Sequence, residues 1–322
     1  MPIPAPVLVV ACLDDPTADL VLGELHGRDV PVVRFDPGAD FPRHATLEAF
    51  LDGTGMKGSL GTQTRHLDLA GVRAVYWRQP TPYRRPEDLD KYTGAWVADQ
   101  SRFGLGGVMA ALPGASYLNH PWRNRDAEHK PVQLATAAAC GLTIPSTLIT
   151  NRVDSARTFA SRMGSVVYKP LWSTPYRNAD GEARTVWADV IDPGTLNESV
   201  SGAAHLFQQQ VNKIADVRVT MVGEHVFPVR IDGAPGLDWR HDYPSLTYQL
   251  IEAPTAVIKG MRAYLDAFGL VFGAFDFSLT HDGQWVFLEC NPNGQWAWFD
   301  DPIPQQISSA IADHLTRPRE LS

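Results

Sequence analysis

Residues 272–293 read FGAFDFSLTHDGQWVFLECNPN, two largely apolar runs on either side of the dipeptide Asp282-Gly283. Aromatic and branched side chains predominate in both runs, as is typical of β-strands. Asp-Gly is a strong signal for a two-residue type I′ turn between antiparallel strands. The stretch therefore predicts a β-hairpin whose strands are buried and yet carry a few polar side chains.

The register of this hairpin brings two carboxylates together. A two-residue turn pairs His281 with Gln284, and the same register pairs Asp276 with Glu289, with Cβ atoms ~5 Å apart. Asn291 shares the face of Glu289, because side chains alternate along a strand. At ~5 Å and an effective dielectric constant of ~20, the two carboxylates repel each other by about 3 kcal/mol.

A bound cation would remove this repulsion. Two carboxylates and an amide form an all-oxygen ligand set, which suits Mg²⁺ or Mn²⁺. Because Mg²⁺ usually completes its coordination with water and substrate phosphates, Asp276, Glu289 and Asn291 predict a site for a metal-bound nucleotide.

Alternatives for the hairpin stay open at this point. Asp276 and Glu289 could instead pair with arginines in a structural network, and a three-residue turn would change the register. Strand alternation also predicts a second face that points into the core. That face carries Phe275, Phe277, Leu288 and Cys290.

The composition is that of an ordinary globular protein of two or three domains, with 322 residues, 44% apolar and 20% charged. A net charge of −8 without any basic block excludes a typical nucleic-acid-binding protein. Cys12, Cys140 and Cys290 lie far apart and form no CxxC, so we expect free thiols and no zinc site. The apolar run near the N-terminus is too short to span a membrane and lacks a basic n-region, so we expect a cytoplasmic protein without a membrane partner.

The first part of the chain alternates strands and helices, which is typical of a mostly parallel sheet. Apolar runs predict strands at 7–12, 31–36 and 73–80. Asp15-Pro16 begins a helix that ends near Gly27, and a second helix covers about 86–111. We expect a βαβ domain over residues 1–118.

The rest of the chain has mixed α+β character, with a central domain over 119–205 and a C-terminal domain over 206–322. The central domain is predicted to contain helices at about 124–140 and 154–163 and strands at 146–149 and 165–171. The C-terminal domain is predicted to contain a strand at 206–212, a hairpin around Gly223-Glu224, helices at 255–268 and about 303–315, and the hairpin quoted above.

Phosphate binding requires separate cations, because the P-loop pattern GxxxxGK[ST] is absent. Lys169 is the strongest candidate, because an ammonium group inside the apolar run VVYKP needs a partner. The other candidates are Lys130 on a helix, Arg218 and Arg230 in the strands of 216–232, and Arg240 in the loop GLDWRHDY. The polar segment 172–184 is either a lid over the phosphates or an ordinary loop.

Several motifs follow one another in the order found in ATP-grasp ligases. They are Lys130, VVYKP, LFQQQVNKIADVRVTMVG, FGAFDF and FLECNPNGQW. Two further stretches, VYWRQP and NHPWRNRDAEHKPVQLATAAACGLTIPSTLIT, are typical of a narrower group. Over residues 1–318 the chain resembles the ATP-grasp maturases of ribosomal peptides, the graspetide synthetases, which include microviridin-type ligases and their actinobacterial relatives. The resemblance implies an ATP-grasp fold with an N-terminal pre-ATP-grasp domain.

The resemblance also implies roles for the charged residues. Asp276, Glu289 and Asn291 match the ligands of the catalytic Mg²⁺, for which two ions are expected. Lys130 and Lys169 match the lysines that contact the phosphates of ATP. Arg240 matches an arginine near the transferred phosphate, and we take Arg230 as a second catalytic cation.

The adenosine half of ATP is expected to lie on a hinge. Gln208, Gln209, Gln210 and Val211 match the hinge strand, whose backbone amide and carbonyl bind adenine. Asp216 matches an acidic residue near the ribose. Gln209 stands where the family usually has a glutamate, and recognition of adenine through the backbone does not depend on that side chain.

The family's reaction is carboxylate activation. ATP phosphorylates an Asp or Glu side chain of a precursor peptide, and a Thr or Ser hydroxyl, or a Lys amine, then attacks the acyl phosphate to give an ω-ester or ω-amide. The expected partner is a ribosomal precursor with a leader and a core rich in Thr, Asp and Glu. We expect a groove for the leader around residues 172–205. The sequence leaves open whether the protein forms a homodimer. The alternatives are a carboxylate–amine ligase acting on a small molecule or protein terminus, and a relative that only binds nucleotide or a partner protein.

Overall fold

The computed structural model describes residues 5–172, 176–177, 180–234, 236–241 and 243–317. Its helices are α1 (Pro16–Gly27), α2 (Pro37–Asp40), α3 (Lys91–Ala110), α4 (Pro121–Ala127), α5 (Lys130–Ala139), α6 (Val153–Met163), α7 (Thr255–Phe268) and α8 (Ile303–Leu315). Its first nine strands are β1 (Val7–Val10), β2 (Val32–Phe35), β3 (Ala45–Asp52), β4 (Gly55–Thr62), β5 (His66–Asp68), β6 (Ala74–Trp77), β7 (Ser116–Leu118), β8 (Thr147–Thr150) and β9 (Val166–Lys169). The others are β10 (Tyr176–Arg177), β11 (Ala183–Arg184), β12 (Asp189–Val190), β13 (His205–Gln209), β14 (Lys213–Val222), β15 (His225–Asp232), β16 (Thr247–Leu250), β17 (Phe272–Thr280) and β18 (Trp285–Asn291).

The N-terminal domain is built on a parallel sheet in the order β2-β1-β6-β7. All four residues of β1 are fully buried, as its unbroken apolar sequence predicts. Asp15 caps α1 by accepting hydrogen bonds from the amides of Thr17 and Ala18 at 3.0 and 3.2 Å. The predicted βαβ architecture is confirmed.

Sequence analysis missed an antiparallel sheet in the order β3-β4-β5, inserted between β2 and β6. Leu60 and Leu67 pack from this sheet against Leu8 and Val10 of the parallel sheet. Asp52-Gly53 was a usable turn signal, although a turn of this kind does not say which face of the strands is buried.

The central sheet has the order β12-β9-β13-β8, and α6 packs against it. Strand β13 pairs with both β8 and β9, so it belongs to the central sheet although the predicted boundary at 205/206 assigns it to the next domain. We therefore propose that the central domain continues to about residue 211.

The C-terminal sheet has the antiparallel order β16-β15-β14-β17-β18. Helices α5 and α7 cover one of its faces. The predicted helix 124–140 is interrupted between α4 and α5, because Pro131 has no amide to donate to the carbonyl of Ala127. The side-chain Nε2 of Gln133 donates to that carbonyl instead, at 2.6 Å.

Helix α8 crosses from the C-terminal domain to the parallel sheet and packs against α1. Ile307 and Ile311 of α8 are fully buried, in one cluster with Val7 and Val9. The N-terminal domain and the C-terminal sheet therefore share a hydrophobic core.

Candidate active site

The hairpin of β17 and β18 pairs Asp276 with Glu289, as the sequence predicts. The turn itself differs from the prediction. The amide of Thr280 donates to the carbonyl of Gln284 at 3.0 Å, so three residues form the loop, with Gly283 at a φ of 80°. The predicted pairing of His281 with Gln284 is wrong.

A β-bulge restores the register between the loop and the site. Phe277 pairs with Phe287 and Asp276 with Glu289, so Leu288 is an extra residue on β18. Leu288 consequently lines a cavity beside Glu289, and the prediction that it faces the core is wrong. Phe275, Phe277 and Cys290 do lie in the core, as predicted.

Cations separate the two opposed carboxylates. Arg218 donates from Nη1 to Oδ2 of Asp276 at 2.7 Å, and both side chains are buried. Lys130 Nζ donates to Oε2 of Glu289 at 2.5 Å, while Arg240 Nη2 lies 3.5 Å from Oε1. The arginine network considered as an alternative is thus present in part, and the network includes a lysine.

The charges in this group shift each other's pKa values. Burial raises the pKa of Glu289, but Lys130, Arg240 and Lys169 outweigh burial and lower it far below its usual range. Burial lowers the pKa of Lys169 to about 8, although the charge of Glu289 opposes the change. Arg240 keeps its charge, because Asp276, Glu289 and Asp238 raise its pKa against the effect of burial.

A cavity of about 320 Å³, here called the main cavity, collects most of the predicted site residues. It lies between the central and C-terminal sheets, and the segment 185–188 also lines it. Ten predicted residues line it: Lys130, Lys169, Gln208, Gln209, Gln210, Val211, Asp216, Arg240, Asp276 and Glu289.

The hinge at the end of β13 is held by the central sheet. The amides of Gln209 and Gln210 donate to the carbonyls of Ser146 and Ser165, at 2.9 and 3.0 Å. The amide of Val211 has no hydrogen-bond acceptor among the described residues. Val211 therefore has the hinge amide that is available to a ligand in the main cavity.

Asp216 is a buried carboxylate in the lining of the main cavity. Burial raises the pKa of Asp216 to about 6, although Lys213 Nζ donates to its Oδ2 at 2.6 Å and lowers it in part. Lys213 also lines the cavity, and the sequence analysis did not single it out.

Arg230 is not in the cavity. It pairs with Val217, whose side chain packs in the core on the sheet face opposite Asp216, and its guanidinium binds Asp232 at 2.7 and 2.8 Å. The prediction of a catalytic role for Arg230 is therefore corrected. Arg218 lies on the opposite face of the sheet, beside Asp276, because successive side chains of β14 alternate between the two faces.

A second cavity of about 230 Å³ adjoins the main cavity across Lys130, Glu289 and Arg240, which line both. Asn291 lines this second cavity and is exposed. Its Oδ1 accepts a hydrogen bond from the amide of Asn293 at 2.8 Å. Glu128 and Trp172 also line the second cavity.

Two features of the main cavity fit a metal-bound nucleotide. Asp276 Oδ1 is buried without a hydrogen-bond partner among the described residues, and such an oxygen is costly unless a ligand pairs with it. Lys130, Lys169 and Arg240 surround the same end of the cavity, where phosphates would be neutralised. No three His, Cys, Asp or Glu side chains within the described ranges form a metal-binding group, so the amide of Asn291 would have to complete the predicted set.

Two motifs from the first 120 residues hold the loop after β18. Arg78, in VYWRQP, is buried, binds Asp15 at 3.1 Å and donates from Nη1 to the carbonyl of Asn293. Asn119, in NHPW, donates to the carbonyls of Phe272 and Pro292 at 3.0 and 2.9 Å. These side chains fix the backbone that directly follows Asn291.

The predicted lid, 172–184, and the predicted leader groove around 172–205 include residues that lie outside the described part of the chain. Strands β10 and β11 pair antiparallel within the lid segment. Among the described helices, none has the length and apolar composition needed to cross a membrane.

Comparison with known proteins finds one family model and several solved structures that the chain resembles. Residues 6–125 match the family model described as the MvdD pre-ATP grasp domain. None of the curated proteins compared with the chain matches it.

Solved structures match nearly the whole chain. The macrocyclase MdnC of Microcystis aeruginosa MRC, solved with its precursor peptide MdnA, is 26% identical, with a TM-score of 0.85 and coverage of 96% of this chain and 98% of that chain. MdnB of the same organism is 27% identical, with a TM-score of 0.80 and coverage of 98% and 100%. A RiPP-associated ATP-grasp ligase of Chryseobacterium gregarium, solved with ADP and a leader and core peptide, shares the fold at 24% identity, with a TM-score of 0.88 and coverage of 97% of each chain.

Proposed function

We infer that this chain, which belongs to the ATP-grasp maturases of ribosomal peptides, is an ADP-forming ligase that closes macrocycles in a precursor peptide. The observation that carries the inference is the main cavity. It combines a hinge amide at Val211, three cations and a buried carboxylate oxygen without a partner. The reaction is the condensation of a side-chain carboxylate of the peptide with a hydroxyl or an amine.

The chain's own residues would bind the nucleotide as follows. Val211 offers its amide to adenine, and Asp216 lies where the ribose would lie. Lys130, Lys169 and Arg240 would hold the phosphates. This arrangement supports ATP as the phosphoryl donor, because cations held in place in a cavity stabilise charge on the transferred group.

Asp276, Glu289 and Asn291 would hold magnesium, for which we propose two ions. Magnesium supplies Lewis-acid stabilisation of the phosphate oxygens. Binding would require Lys130 and Arg240 to move from Glu289 to the phosphates, since both cations contact that carboxylate in the present structure. Arg218 stays with Asp276 as a buried counter-charge.

The peptide chemistry has two steps. Transfer of the phosphoryl group to an Asp or Glu side chain gives an acyl phosphate, and attack by a Thr or Ser hydroxyl gives an ω-ester with release of phosphate. A Lys amine gives an ω-amide in the same way. We propose that the precursor carries a leader bound near 172–205 and a core rich in Thr, Asp and Glu. We also propose that the enzyme forms a homodimer, which light scattering tests. Its cytoplasmic location stays a prediction.

Mass spectrometry tests the function directly. The purified chain is incubated with ATP, Mg²⁺ and the short peptide encoded by a neighbouring reading frame whose C-terminal part is rich in Thr with Asp or Glu. The expected product has lost one water per linkage, with matching release of ADP. A gain in mass would favour a ligase that joins a separate small molecule or terminus, and ADP release at background would contradict the ligase assignment.

A further inference from the structure

The second cavity lies where an attacking group would have to approach. It shares Lys130, Glu289 and Arg240 with the main cavity, so a substrate carboxylate at this boundary would face both spaces. ATP approaches from the main cavity. The second cavity is then the space on the other side of the reacting carbonyl.

Glu128 differs from the other carboxylates of the two cavities. Asp216, Asp238, Asp276 and Glu289 each form an ion pair within 4 Å. Glu128 has no side-chain hydrogen bond or ion pair with any residue that the structure describes, although it is partly buried. Burial raises the pKa of Glu128, while the charge of His129 opposes that change.

The local fold holds Glu128 at this place. It lies in the break between α4 and α5, the break that Pro131 causes. Gln133 ties the break to β18, because its Nε2 donates to the carbonyl of Cys290 at 2.9 Å and its Oε1 accepts from the amide of Cys290 at 3.1 Å. Glu128 is therefore fixed relative to Glu289 and Asn291, the neighbours of Cys290.

We propose that the second cavity receives the attacking hydroxyl or amine of the core peptide and that the Glu128 carboxylate removes its proton. The proposal rests on the proposed function and adds the general base that the reaction lacked. A general base needs an ionised carboxylate with no fixed counter-ion and access to the nucleophile. Glu128 meets both conditions, whereas each of the other carboxylates is committed to a cation.

The step is balanced as follows. The nucleophile's oxygen or nitrogen forms a bond to the acyl carbon, and the bond from that carbon to the phosphate oxygen breaks. Inorganic phosphate leaves with the electron pair of the broken bond. The proton of the nucleophile passes to Glu128 and from there to solvent, so the carboxylate is regenerated.

His129, next to Glu128 in the chain, is the charged group that acts on the pKa of Glu128 against burial. Lys130, Arg240 and Glu289 are the other charged residues that line the second cavity. Because the base works in its ionised form, cyclisation should become faster as pH rises through the raised pKa of Glu128. Removal of the carboxylate should remove this part of the pH profile.

Hydroxylamine separates the two chemical steps. It attacks an acyl phosphate without help from a base, so formation of a peptide hydroxamate reports phosphorylation alone. We compare wild type, Glu128→Gln and Glu48→Gln with ATP, Mg²⁺ and the precursor peptide, and measure hydroxamate and cyclised product across pH by mass spectrometry. Glu48 provides a control for the Glu→Gln change itself, because it is an exposed glutamate on β3, outside the lining of both cavities.

We expect Glu128→Gln to form hydroxamate at the wild-type rate but to cyclise ~10²-fold or more slowly, without the acid limb of the pH profile. Glu48→Gln should match wild type in both assays. Cyclisation by Glu128→Gln at the wild-type rate would overturn the proposal, and so would an equal loss of hydroxamate and product. Absence of hydroxamate with the wild type would instead refute the proposed function.

Discussion

At the scale of the residue, Glu289 is the side chain on which both cavities depend. It neutralises Lys130 and Arg240, and it lines the main and second cavities together with them. Its pairing with Asp276 across the hairpin would be repulsive without these cations. In this structure Glu289 thus forms ion pairs with the two cations that would bind the phosphates of ATP.

Glu289→Ala should leave the protein folded and reduce ADP formation to background. The substitution removes a proposed magnesium ligand and leaves two cations without their counter-charge, while the core behind β18 stays intact. Folding is followed by circular dichroism, and turnover by ADP release with the precursor peptide. Glu224→Ala, which removes an exposed partner of Arg262, is the control, and an active Glu289→Ala enzyme would contradict the metal assignment.

At the scale of the element, the β17–β18 hairpin keeps the Asp276–Glu289 pair through two irregularities that compensate each other. The loop between the strands has one residue more than a type I′ turn, which shifts the pairing by one residue. The bulge at Leu288 adds one residue to β18 and shifts the pairing back. Either irregularity alone would turn Glu289 away from Asp276, since a shift by one residue moves a side chain to the opposite face.

Helix α8 gives a pH-dependent prediction at the same scale. Burial lowers the pKa of His314, near the end of α8, to about 4 from a reference value of 6.5, and Arg317 adds to the shift. The folded state therefore binds fewer protons than the unfolded chain, so the stability that neutral His314 allows is present above about pH 6.5 and is lost as pH falls towards 4.

His314→Gln should consequently lose less stability on acidification than the wild type. Urea unfolding at about pH 7 and about pH 5 gives the free energy of unfolding of each protein at both values. His66→Gln, at an exposed position, serves as the control. Equal losses in wild type and His314→Gln would contradict the assignment.

At the scale of the whole molecule, the N-terminal domain supports the loop that follows β18. Arg78 and Asn119 directly follow the neighbouring parallel strands β6 and β7, at the same end of the sheet, and both bind carbonyls in residues 292–293. Helix α8 joins the same two parts through a shared core. The domain thus contributes to the site without lining either cavity.

Arg78→Met should destabilise the protein by about 3–5 kcal/mol, because it leaves Asp15 as a buried and uncompensated charge. Activity should fall as well, since the loop beside Asn291 loses its anchor. Arg43→Met removes an exposed pair with Asp88 and should cost less than about 1 kcal/mol. Urea unfolding and ADP release measure the two effects, and a loss for Arg78→Met no larger than the control's would contradict the structural role.

A considerable part of this protein follows from local sequence. Buried strands, the Gly223-Glu224 turn and the pairing of Asp276 with Glu289 depend on residues close together in the chain, and the structure confirms them. The helix prediction at 124–140 had the right type but missed the break, although Pro131 was the signal for it. The catalytic role predicted for Arg230 did not take into account its strand partner, Val217, whose side chain lies on the core face of the sheet.

The tertiary structure alone decided which cation meets which carboxylate. Lys130 and Glu289 are separated by 159 positions, and Arg218 and Asp276 by 58, so no local spacing determines these pairs. The same holds for the second cavity, whose lining residues Lys130 and Gln133 are brought to Glu289 by the packing of α5 onto β18. Sequence determined the hairpin and its opposed carboxylates, since turns and alternation act between neighbours, whereas the folded chain determined the charge balance and the space around them, since these depend on contacts between distant elements.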